Sequence, residues 1–113
     1  MDNCLFCKII SGEIPCVKVY EDENCIAFND ISPKAPVHIL VVPKIHTEAV
    51  HTIQKNENIA NNLFFAVSKI VKEQNLTKKG YRLIINSGKD GGQTIFHLHA
   101  HILGGKNLGE NFC

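Results

Sequence analysis

The sequence predicts an α+β domain: a five-stranded antiparallel sheet carrying one long and one short helix. Three observations predict it. Five short runs rich in Val, Ile and Leu are mostly linked by turns. From Ile59 the apolar residues fall at 59, 63, 64, 67, 70 and 71, the spacing of an amphipathic helix. His97-Leu98-His99-Ala100-His101-Ile102 alternates with period two, the spacing of a strand with two unlike faces.

The 113 residues fit one domain over 1–113, with a tail over 106–113. Hydrophobic content of 44% and charged content of 20% are ordinary for a globular chain. A formal net charge of +1 leaves no basic excess for a nucleic-acid backbone. Met1–Ile10 holds Asp2 and only a short apolar run, so it does not read as a signal peptide. No stretch approaches the ~18 apolar residues of a membrane span. Five cysteines without a secretory signal point to a reduced, cytoplasmic protein, in which cysteine is a core residue or a metal ligand.

Taken in order, Leu5, Phe6, Ile9 and Ile10 give a short helix one buried face, and Gly12 ends it. Cys4 and Cys7 are three apart, on one side of that helix. Val17–Glu21 and Cys25–Phe28 form a hairpin about Asp22-Glu23-Asn24. A loop with Pro33 and Pro36 leads into Val37–Pro43, whose aliphatic run predicts a central strand buried on both faces. His38 inside that run needs partners for its nitrogens, and by itself reads more readily as a satisfied core histidine. The long helix runs from Ile59 to about Gln74, with Phe64 and Phe65 as core anchors rather than a base-stacking surface. Tyr81–Asn86 is the fourth strand, and the histidine run the fifth. Helices on one face of the sheet complete the picture.

The chemistry concentrates at the end. Strict alternation puts His97, His99 and His101 on one face, with Cα atoms roughly 6.5–7 Å apart, so two of them can reach one phosphate-sized group. The Gly-rich loop Ser87–Gln93 feeds directly into them, and glycines let backbone N–H groups approach an anion. The Gly-Lys-Ser/Thr ending of a Walker A loop is absent.

His97-x-His99-x-His101 followed by two apolar residues resembles the signature of the histidine-triad (HIT) superfamily, and Leu103-Gly104-Gly105 is similar to its Hint branch. Phe28–His38, Val42-Pro43-Lys44-Ile45-His46 and Asn86-Ser87-Gly88-x-x-Gly91-Gly92-Gln93-Thr94 resemble that branch's other motifs, so the likeness runs from about Phe6 to Gly105. The resemblance implies a HIT-like fold, a homodimer with sheets joined edge to edge, and hydrolysis of purine nucleoside phosphoramidates and aminoacyl adenylates (AMP or GMP conjugates of an amine, such as adenylated lysine). It implies His99 as nucleophile, His101 as the second phosphate-contacting histidine and His38 as their support. It gives Asp30 the ribose hydroxyls, and Phe28 and Ile31 the base, with Phe6 and Ile9 closing that pocket. Asn86, Gly92, Gln93 and Thr94 fall to the α-phosphate. One departure is the tail: eukaryotic members carry a Trp there, whereas Lys106–Cys113 has none.

A neutral imidazole is a nucleophile near pH 7, and no carboxylate cluster suited to Mg²⁺ is visible, so catalysis is expected to need no metal cofactor. A structural zinc is expected instead. Some HIT members with Cys-x-x-Cys carry one, and a tetrahedral site needs two more ligands. His46 is the third, and His97 the fourth because His99 and His101 are taken up by the phosphate. Strict alternation opposes that division, so a bend near Phe96 is required. The plainer reading of Cys4 and Cys7 is two small buried side chains. Three other functions compete: a hydrolase holding a metal on His97, His99 and His101, a non-catalytic nucleotide-binding regulator, and a dinucleoside polyphosphate (Ap₄A-type) hydrolase.

Overall fold

The computed structural model describes residues 3–111; Met1 and Asp2 of the leading stretch and Phe112-Cys113 at the end of the tail lie outside the described residues. The elements are helix α1 (Leu5–Ile10), strands β1 (Lys18–Glu21), β2 (Cys25–Asn29) and β3 (Val37–Pro43), a 3₁₀ turn (Val50–Thr52), helix α2 (Ile59–Glu73), and strands β4 (Arg82–Ile84) and β5 (Ala100–Gly104). The strands form an antiparallel sheet in the order β1-β2-β3-β5-β4. The fold class is the α+β arrangement that the sequence predicts.

The hairpin between β1 and β2 closes on Asp22. Its Oδ1 accepts from the backbone N–H of Asn24 and of Cys25, at 2.7 and 2.8 Å, an Asx-type turn. β3 is central and buried along almost its whole length. Its period-two alternation divides two cores. Ile39 and Val41 join Cys25, Ala27, Ala100 and Ile102 beneath α2. Leu40 and Val42 join Ile26, Phe28 and the α1 residue Phe6 on the other side. The helices therefore cover opposite faces, where the sequence suggested one. A strand apolar on both faces needs cover on both.

α2 buries Ile59, Leu63, Ala66, Val67, Ile70 and Val71. Phe64 and Phe65 are not core anchors: they are 53% and 58% exposed. Phe64 lies about 100° round the helix from Leu63, and Phe65 farther still, so both leave the apolar stripe. The helix ends on Asn75 in the left-handed region (φ 59°). The N–H of Leu76 returns to the carbonyl of Val71, and that of Asn75 to Lys72, a Schellman closure that buries Leu76. Two predicted strands are shorter than expected. β4 spans Arg82–Ile84 only, and β5 begins at Ala100, after two of the three clustered histidines.

Candidate active site

The late start of β5 decides how the three histidines divide. The loop after β3 is clamped against residues 93–98 by three hydrogen bonds. Leu98 N–H donates to the Thr47 carbonyl (2.7 Å), the Gln93 amide donates to the Glu48 carbonyl (2.7 Å), and His97 Nε2 donates to the Pro43 carbonyl (2.8 Å). The clamp turns His97 off the face expected from alternation and buries its ring fully, opposite His46. His97 Nδ1 then lies 3.1 Å from His46 Nδ1, 3.4 Å from Cys4 Sγ and 3.6 Å from Cys7 Sγ. Cys7 Sγ is 3.3 Å from His46 Nδ1.

The other two histidines stay together, on the α1 side of the sheet. Their ring centroids are 5.0 Å apart. The backbone register sets Leu40 opposite His101, which makes His38 the diagonal neighbour of His101. The two rings bond directly, His38 Nε2 to His101 Nδ1, at 3.0 Å. His99 packs edge-on against Phe6, with centroids 4.9 Å apart, and Phe6 in turn meets Phe28 at 5.7 Å.

Hydrogen-bond logic gives each ring its tautomer. A carbonyl only accepts, so the 2.7 Å contact of His99 Nδ1 with the His97 carbonyl places a proton on Nδ1 and leaves Nε2 bare. The backbone N–H of Lys34 donates to His38 Nδ1 at 3.1 Å, so a neutral His38 carries its proton on Nε2. That proton points at His101 Nδ1, and His101 in turn keeps its own on Nε2. One neutral ring thus presents a lone pair and its neighbour an N–H donor. Asp30 stands beside them, with Oδ2 3.5 Å from His38 Nε2 and Oδ1 accepting from Ser32 N–H at 2.8 Å.

The HIT domain family model matches residues 11–108. The chain belongs to the HIT family. A histidine triad protein from Clostridium difficile has the same fold, with a TM-score of 0.92 and 50% identity over 98% of this chain and 96% of that one. A structure named a HIT family hydrolase, from Clostridium thermocellum, matches with a TM-score of 0.95 and 46% identity over 100% and 99% of the two chains. Protein HitA of Neisseria gonorrhoeae is 45% identical over 105 residues, 92% of this chain and 97% of its own.

In this HIT chain, burial is the main influence on His99 and His101. It pushes His101 down to about 4, aided by His99 and His38 and opposed by Asp30. It also lowers His99, against the opposing pull of the His97 carbonyl and Asp30. Both rings are therefore neutral at pH 7, as a nucleophile requires.

The cysteine cluster fits a tetrahedral metal. Ligand bonds of ~2.0–2.3 Å set neighbouring ligand atoms roughly 3.3–3.8 Å apart; the three sulfur–nitrogen contacts of 3.3–3.6 Å lie in that range, and the 3.1 Å contact of the two imidazole nitrogens falls just short of it. Cys4, Cys7, His46 and His97 offer one ligand atom each, all within 4.8 Å of one another. His97 gives its Nε2 proton to Pro43, so its Nδ1 is a bare lone pair facing three other donor atoms, the usual outer-shell arrangement of a ligating histidine. Burial, then the adjacent Cys4, raises the Cys7 thiol, and a cation is what would draw out the thiolate. By contrast His97, His99 and His101 do not converge on a common point. The second group close enough for a metal is Asp30, His38 and His101, and the His38–His101 bond already occupies it.

The remaining predicted residues divide as well. Phe6 and Phe28 are buried behind His99, Ile9 is half-buried beside them, and Ile31 is 99% exposed. Asn86 is half-buried beyond β4. Thr94 opens on a cavity of about 330 Å³ shared with Cys4, Leu5, His46, Ile95 and Phe96. Glycine is required at two loop positions. A Cβ on Gly91 would lie 2.4 Å from the Ser87 carbonyl oxygen, and Gly92 has φ 83°. The N–H groups of Gly92 and Gln93 close internal turns onto Lys89 and Gly88. Gln93 is buried, and its amide bonds Gly88 N–H and the carbonyls of Glu48 and Ile95. Its side chain shapes the loop. No motif or periodicity points to this brace, to the Lys34 N–H on His38, or to the Pro43 carbonyl on His97.

Proposed function

We propose that this chain hydrolyses purine nucleoside 5′-phosphoramidates, AMP or GMP joined to an amine, through a nucleotidyl-histidine intermediate. The observation that carries the proposal is the pair of opposed tautomers, a bare Nε2 on His99 beside an N–H on His101. The name of the Clostridium thermocellum relative, a HIT family hydrolase, supports the reaction class.

His99 Nε2 attacks phosphorus and the P–N bond breaks. The departing amine takes one proton, carried in with the substrate. The nucleotide remains on His99 as an N-phosphoryl imidazolium, whose Nδ1–H the His97 carbonyl holds. Water then attacks phosphorus, releasing the mononucleotide, a proton and the free ring. His101 Nε2–H donates to a phosphoryl oxygen throughout, oriented by His38. Asn86 and Thr94 supply side-chain donors to the α-phosphate, with Gly92 and Gln93 shaping the loop that precedes the histidines. Asp30 takes the ribose hydroxyls and Phe28 and Ile31 flank the base, backed by Ile9 and Phe6. Cys4, Cys7, His46 and His97 hold a zinc ion, which supplies a cross-link between α1 and the turn before β5 and takes no part in bond breaking. A homodimer belongs to the same reading. β4 is an edge strand with one side unpaired, and Phe64 and Phe65 are exposed on α2.

The test is to quench a reaction with adenosine 5′-phosphoramidate and look for AMP covalently attached to the protein. The adduct is expected on the wild type and not on His99→Gly; an adduct on the variant removes His99 from the role. Faster turnover of a dinucleoside polyphosphate than of the phosphoramidate would favour the Ap₄A-type assignment, and no turnover of either the regulatory one.

A further inference from the structure

The geometry points to a link between the two histidine clusters. His97 puts its side chain among Cys4, Cys7 and His46 and its carbonyl on His99, so that the metal-holding cluster fixes the direction in which His99 attacks. The inference rests on His99 being the nucleophile.

Two contacts fix the His99 ring: the 2.7 Å bond from Nδ1–H to the His97 carbonyl and the edge-on Phe6 ring at 4.9 Å. Both come from segments that the cluster ties down. His97 is one ligand, and Phe6 lies between the ligands Cys4 and Cys7 on α1. Beyond the cluster, the turn before β5 is held by the hydrogen bonds to Pro43 and Thr47, and α1 by the packing of Phe6. α1 has six residues, too few to be stable alone, and Phe6 is its one fully buried side chain. Residues 95–99 precede β5, and so lie outside its ladder. A cation between the four atoms would tie them to one point, whereas without it the sulfur–nitrogen contacts at 3.3–3.6 Å are weak hydrogen bonds, a thiol S–H donating to an imidazole nitrogen. Those weaker ties let the His97 ring turn or α1 shift, and either movement tilts the carbonyl or withdraws Phe6. His97 and Phe6 are therefore positioning residues: they act on the reaction only through His99.

The experiment uses the full chain in three forms: zinc-loaded, stripped with a chelator, and refilled with Zn²⁺. Metal content, far-UV circular dichroism, AMP affinity by calorimetry, single-turnover cleavage of adenosine 5′-phosphoramidate and the His99 tautomer by two-bond ¹H–¹⁵N correlation are measured on each. Stripping is expected to leave the circular dichroism unchanged and AMP affinity within about threefold. It lowers the cleavage rate about tenfold or more, the scale seen for outer-shell partners of metal sites. It converts His99 from one tautomer to a mixture, and refilling reverses both effects. His97→Cys, which keeps four ligands, is expected to retain a single tautomer, and His97→Ala to lose it. A stripped protein whose His99 keeps its single tautomer and rate overturns the inference. If stripping unfolds the chain, Phe6→Leu decides, because it keeps every ligand. A tautomer mixture and slower cleavage at full zinc content support the link, and no change in either overturns it. The tautomer is read without substrate, so a zinc-loaded wild type that cleaves nothing counts against the hydrolase assignment and leaves this link to be decided by the spectra.

Discussion

His38 Nε2 lies 3.0 Å from His101 Nδ1, and the backbone N–H of Lys34 closes the far side of His38 at 3.1 Å. A main-chain amide thus sets, through two rings, which nitrogen of His101 presents its proton. His38→Ala removes the middle of that chain. The variant should keep its fold and KM within a few-fold, while kcat falls by about 10²-fold, the lower end of a general acid–base contribution. Steady-state kinetics with adenosine 5′-phosphoramidate separate the two parameters.

The depressed His101 has two pH consequences. Its pKa of about 4 means that the ring stays neutral well below the ordinary histidine range. The kcat/KM profile should therefore stay level as pH falls from 8 through 6.5, where an unperturbed histidine would already be titrating. Stability moves the other way. Between pH ~6.5 and about 4 the unfolded chain binds a proton that the folded chain refuses, so stability present above 6.5 is lost progressively as pH falls through that window. Urea midpoints at pH 7 and pH 4.5 measure the loss, and His101→Gln should reduce it.

Gln93 is buried and joins the Gly88 N–H to the carbonyls of Glu48 and Ile95. Gln93→Ala leaves those groups without partners, at a cost of about 1–3 kcal/mol. It also loosens one of the bonds that hold the His46 loop against the turn before β5. We expect a lower melting temperature together with weaker zinc retention against a chelator. Unchanged retention would mean that the other two bonds of the clamp suffice.

The exposed phenylalanines of α2 test the homodimer. Replacing Phe64 and Phe65 together by Glu removes no buried side chain, so the thermal midpoint of the isolated chain should move little. Sedimentation equilibrium should change from the mass of two chains to that of one. A variant that still sediments as a pair would place the contact elsewhere, with the β4 edge the next surface to alter.

Much of the architecture follows from local periodicity. The spacing from Ile59 marks α2 because a helical stripe repeats within a few residues, and the aliphatic run Val37–Pro43 marks a strand covered on both sides. The short spacing of Cys4 and Cys7 likewise marks a shared helix side, and the predicted four-ligand set is the one the structure gathers. Periodicity is silent where an element ends. The alternation of His97, His99 and His101 suggested a common face, but the strand begins only at Ala100, and contacts with residues 43–48, some fifty positions away, turn His97 aside. Phe64 and Phe65 have the hydrophobicity of core residues and lie outside the core because the helix turns them from the sheet. Tautomers are the extreme case. The sequence by itself determined that three alternating histidines would directly follow a glycine-rich loop. Only the tertiary structure decided which ring joins the two cysteines, which offers a lone pair and which a proton, because each choice depends on one carbonyl or amide brought within hydrogen-bond reach.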